Sequence, residues 1–157
     1  MTNISTVCDY IIIQLNADGD SDLTTLKLQK LLYYVQAWHL VFYKKPMFDG
    51  EFQAWVHGPV NREIYNRFKD SKFLYSSITL QDVEDKNASD NLSKKDKSHV
   101  DSVLDAYAKY SPSQLEFMTH REKPWMEART GVDKLQRSEK VISEETMTKY
   151  YKARLKV

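Results

Sequence analysis

The residues of this chain whose types could do chemistry are four histidines, one cysteine and an acidic turn. His39, His57, His99 and His120 are scattered along the sequence. An imidazole between a carboxylate and a Ser or Cys nucleophile would support acyl transfer. No nucleophile elbow or related signature surrounds any Ser or Cys here, so no catalytic residue is assigned. Cys8 shares an apolar helical face with Ile4, Ile11 and Leu15, the setting of a small core residue. A single cysteine allows neither an intrachain disulfide nor a Cys-based metal cluster. The four glycines are isolated and build no phosphate-cradling loop. The turn from Asn16 to Asp22 has the acidic spacing of a calcium loop, but no glutamate stands where such a loop closes on its ion. It is expected to be a solvated connection. No metal and no cofactor is expected.

His57 and His120 share a setting. His57 lies in Trp55-Val-His-Gly-Pro-Val60, and His120 in Thr119-His-Arg-Glu-Lys-Pro-Trp125. Each precedes a proline and neighbours a tryptophan. Each imidazole can bond backbone groups freed at a helix end. The alternative is one recognition pocket containing Trp55, His57, Gly58, Pro59, His120, Pro124 and Trp125. Two histidines without further ligands at useful spacing do not make a zinc site.

These residues must be positioned by helices. Residues 24–42 contain no Gly or Pro, and Leu28, Leu31, Leu32, Val35 and Phe42 recur at helical spacing. Leu26, Tyr33, Ala37 and Leu40 widen the stripe, so this helix belongs at the centre of a domain. Lys27, Gln29, Lys30 and Gln36 interrupt it too often for a membrane span. Lys27, Lys30 and Tyr34 fall on one line, either a solvated stripe or a partner-facing one. Tyr33 and Tyr34 point about 100° apart, so one of them is expected near the surface beside the lysines.

Around this element the spacing predicts helices over 5–16, from Pro59 to about 69, from Ser93 or Asp96 to about 110, and from a Ser111-Pro112 start with Gln114 as capping partner. In the last of these Leu115, Phe117 and Met118 are expected to point inward. A short helix opens at Pro124, and a C-terminal helix over about 143–155 is capped by Ser143. Residues 51–56 and 73–80 are β-prone and supply at most a small β element. Residues 81–98 are almost wholly polar and are expected to form an exposed, mobile loop. The sum is a mainly α, single globular domain over 1–157, built around the buried helix 24–42.

At 157 residues one domain with a real core is the natural reading. Twenty-three basic against twenty-two acidic residues give a net charge of +1, which carries no footprint of a nucleic-acid binder. The N-terminus lacks a basic region followed by an apolar run, so a cytoplasmic protein without a membrane association is expected. Four glycines and four prolines favour long helices over a turn-rich β fold.

Three blocks then carry a family resemblance: Lys27-Leu-Gln-Lys-Leu-Leu-Tyr-Tyr-Val-Gln-Ala-Trp38, Ala54-Trp-Val-His-Gly-Pro-Val60 and Thr119-His-Arg-Glu-Lys-Pro-Trp-Met-Glu-Ala-Arg129. In this order they resemble the signature of the Panacea domain, the family of SocA-like antitoxins and phage-associated GepA-like proteins. The resemblance covers about residues 5–129. It implies a helical domain that neutralises a cognate toxin by direct protein contact. Alternatives are an adaptor delivering a toxin to a AAA+ protease, a DNA-binding or regulatory protein, or a phage-associated enzyme. A protein-binding role needs exposed aromatic and charged anchors. The toxin-facing patch is accordingly expected to contain Lys27, Lys30, Tyr34, His57 and Trp125.

Overall fold

The computed structural model describes residues 1–19 and 21–155; Asp20 of the acidic turn lies outside the described residues. The chain runs α1 (Ile4–Leu15), α2 (Thr25–Tyr43), β1 (Gln53–Trp55), β2 (Gly58–Val60), α3 (Arg62–Phe68), a 3-10 turn (Leu80–Asp82), α4 (Lys94–Tyr107), α5 (Pro112–His120), α6 (Lys123–Ala128) and α7 (Glu144–Lys152). The fold is mainly α. Helix α2 is its axis: every residue from Leu26 to Ala37 is buried, and α1, α4, α5, α7 and the hairpin pack around it. Helix α7 packs against it most extensively.

Local chemistry explains the boundaries. The Thr24 side chain accepts from Lys27 N at the start of α2, and Lys44 closes it in the left-handed conformation at φ 59°. Ser93, Ser111 and Ser143 cap α4, α5 and α7, and Ser111 and Gln114 complete a capping box. Among the described residues no helix is long and apolar enough to cross a membrane.

Several expectations are corrected. Pro59 does not open a helix. Gly58, at φ 107°, reverses the chain so that β2 pairs antiparallel with β1, Ala54 opposite Pro59. Helix α3 starts at Arg62, behind an Asn61 cap whose side chain accepts from Ile64 N. On its other side β1 meets Val141, with Ala54 N donating to Lys140 O and Ile142 N to Phe52 O, both at 2.8 Å.

Residues 73–80 contribute one antiparallel bridge, Ser77 to Thr24, within the small β content expected. They lie across the start of α2, where Leu26 N donates to Leu74 O at 3.0 Å and the Thr25 hydroxyl to Phe73 O at 2.6 Å. Backbone groups left over at the helix end are thereby satisfied.

The polar stretch 81–98 is mostly exposed and is tied to the domain at a few points. Buried Asp9 accepts from Arg67 and from the amides of Glu84 and Asp85, Ala88 and Leu92 are buried, and α4 already begins at Lys94. Phe117 points outward on α5, 61% exposed, while Leu115 fills the core from the same helix.

Candidate functional site

The polar residues of α2 face the interior, and each holds a distant segment. Lys27 Nζ donates to Asp22 Oδ1 at 2.6 Å and to the carbonyls of Ala108 and Tyr110 at 2.7 Å, beyond the end of α4. Gln29 makes a two-way pair with the Asn61 backbone: its Oε1 accepts from the amide at 2.8 Å and its Nε2 donates to the carbonyl at 3.1 Å. Gln36 likewise joins Met47 N at 2.8 Å and Phe48 O at 2.9 Å. Lys30, fully buried, donates to Pro59 O at 3.0 Å. Burial pushes its pKa down to about 7, with Glu116 opposing.

An aromatic cluster lies further along α2. Tyr34 OH and Tyr151 OH each donate to Glu122 Oε1 at 2.8 Å, Tyr33 OH lies 3.1 Å from Tyr151 OH, and Tyr34 stacks on Tyr107 at 4.0 Å. Burial raises the Glu122 pKa against the two phenol hydrogen bonds, and raises those of Tyr33, Tyr34 and Tyr151 well above the phenol range.

The second and third blocks meet in the structure. Trp125 Nε1 donates to Trp55 O, and Arg129 Nη1 to Ala54 O, both at 2.8 Å. Trp125 stacks on His120 at 4.1 Å between centroids. Gly58 sits where an added Cβ would lie 2.6 Å from Lys30 Cε and 2.8 Å from Thr119 Oγ1. Thus Trp55, His57, Gly58, Pro59, His120, Pro124 and Trp125 are brought together, but as a welded joint between hairpin, α5 and α6. Burial lowers the His120 pKa, and its buried Nε2 has no hydrogen-bond partner among the described residues. His57 stands at the edge, 48% exposed by its side chain, 3.0 Å from Glu116 Oε2.

The surface expected from Lys27, Lys30, Tyr34, His57 and Trp125 is therefore corrected. Lys27, Lys30, Tyr34 and Trp125 are buried, and only His57 reaches solvent. Neither Tyr33 nor Tyr34 is exposed, because Tyr151 of α7 packs on both rings and Tyr107 of α4 stacks on Tyr34. Carbonyl acceptors from other segments keep the lysines inside; these acceptors lie up to 83 residues away and leave no mark in the local pattern.

What the surface does offer is a groove of about 620 Å³ between the start of α2, the hairpin and α3. Leu26, Val60, Ile64 and Phe68 form its apolar floor, and Tyr65 and Phe73 stand at its rim. Phe73 is 86% exposed, which places a large apolar ring in water. Sequence reasoning did not assemble this groove. Its only signals were the aromatic run from Phe73 and the i, i+4 spacing of Val60, Ile64 and Phe68.

Residues 28–126 match the family model of the antitoxin SocA-like, Panacea domain, and the chain belongs to that family. A stretch of 66 residues is 33% identical to the antitoxin SocA of Caulobacter vibrioides (strain NA1000 / CB15N), covering 41% of this chain and 35% of that protein. The chain thus spans about a third of the length of the curated relative it matches. No solved structure matches it.

Proposed function

We propose that the protein is the antitoxin of a toxin–antitoxin pair and neutralises a cognate toxin in the cytoplasm by direct protein–protein contact, without chemistry of its own. The observation that carries this reading is the family match over 28–126, which takes in the whole of the buried scaffold from Leu28 to Trp125. A related protein named as an antitoxin supports it. The geometry fits a binding module: the signature residues are engaged in holding segments together, and exposed side chains remain for a partner.

The test is co-expression with the product of the neighbouring reading frame. The expected result is rescue of growth together with a complex that survives size-exclusion chromatography. A neighbour that is not toxic, or that is toxic but neither rescued nor bound, overturns the reading. Rescue accompanied by loss of the toxin, and abolished in a host lacking its AAA+ proteases, would assign the adaptor role instead.

A further inference from the structure

The groove beside α3 combines two properties that select a partner. Its floor is aliphatic and its rim aromatic, as an interface core requires. Its charged border is basic: Lys69, Lys72 and Arg137 line it against one carboxylate, Glu139. Glu139 is already paired with Arg62, and Lys72 with Asp82 at 3.4 Å. Among the described residues Lys69 and Arg137 have no ion-pair partner. The chain as a whole carries a net charge of only +1, so these two free cations make the rim more basic than the protein average.

We propose that the toxin docks here through a segment that presents bulky apolar side chains flanked by carboxylates; this rests on the antitoxin reading above. The apolar side chains enter between Tyr65 and Phe73 and cover the floor over Ile64 and Phe68. The carboxylates meet Lys69 and Arg137, whose charges steer the encounter and fix register. A second copy of this chain is a poor occupant, because two basic rims would face each other.

Two rim variants test this without touching the core: Phe73→Ala, and the double reversal Lys69→Glu with Arg137→Glu. Phe117→Ala, an exposed aromatic on α5 away from the groove, is the control. The full chain is titrated by calorimetry with the toxin, and by fluorescence anisotropy with a labelled short peptide of alternating Glu, Leu and Phe and with its Lys-substituted counterpart. Phe73→Ala is expected to weaken toxin binding about tenfold or more, the double reversal likewise, and Phe117→Ala less than about threefold. The acidic peptide is expected to bind wild type and lose the double-reversal variant, and the basic peptide to show the opposite preference.

Toxin bound equally by wild type and both rim variants overturns the groove and leaves the antitoxin reading intact. Failure of wild type to bind the toxin overturns the antitoxin reading; the peptide arm then decides the groove, and no preference for the acidic peptide overturns it too. A single-stranded oligothymidine that binds the rim more tightly than the acidic peptide would assign the groove to nucleic acid and refute the proposal.

Discussion

Lys30 makes stability depend on pH in a direction opposite to that of a paired surface lysine. Its ammonium is fully buried with one carbonyl partner, and its pKa falls from 10.5 to about 7. Between these values the unfolded chain holds more protons than the folded one, so stability rises with pH and is lost as pH falls toward 7. At one pKa unit per about 1.4 kcal/mol, the Lys30 contribution changes by about 2 kcal/mol between pH 7 and pH 9. Other groups act mainly outside this window. The lowered pKa values of His39, His99 and His120 remove stability below the imidazole range, and the raised values of Cys8 and the buried tyrosines remove it above about pH 9. Urea unfolding of wild type and Lys30→Met at pH 7, 8 and 9 is the assay. Wild type should gain stability across the series. Lys30→Met should be flat, because methionine fills the same space without a proton to lose. A flat wild-type profile, or an equal slope in both proteins, would refute the reasoning that this amine is buried and desolvated.

Gly58→Ala combines strain at φ 107° with a methyl 2.6 Å from Lys30 Cε and should cost about 2–4 kcal/mol, read as a fall in urea midpoint. Glu122→Ala leaves the hydroxyls of Tyr34 and Tyr151 without their acceptor and should cost about 2–4 kcal/mol, whereas Glu122→Gln keeps an oxygen there and should lose less than half of that by the same measurement. Leu31→Ala and Leu32→Ala, both at fully buried positions of α2, should each cost about 2–5 kcal/mol, and wild-type-like thermal melts would place the helix at the periphery.

Much of this architecture was legible in local chemistry. The run of apolar residues from Leu26 to Leu40 announced the central helix, and Ser93, Ser111 and Ser143 announced starts that the structure realises. The contact between the Trp55 and Trp125 blocks was only one of two readings open from the sequence, because a tryptophan and a histidine ahead of a proline fit a helix end equally well. The interior lysines were not. Polarity ordinarily marks a solvent face, and what reverses the rule for Lys27 and Lys30 is a set of carbonyls at Ala108, Tyr110 and Pro59 that only the assembled fold supplies. The Phe73 rim was missed for a related reason: an extended aromatic segment looks like a strand until the start of α2 is seen to take its hydrogen bonds.

The tyrosine cluster has a consequence for the order in which the chain can complete itself. Tyr151 reaches Tyr33 across 118 residues of sequence and shares Glu122 with Tyr34. A nascent chain that has not yet released α7 therefore carries α2 with one flank open, its phenols and the Glu122 carboxyl still facing water. Contacts of such sequence separation are the slow ones to form. Helix α7 thus closes the flank of α2 that carries Tyr33 and Tyr34, with a partner supplied from the far end of the described sequence.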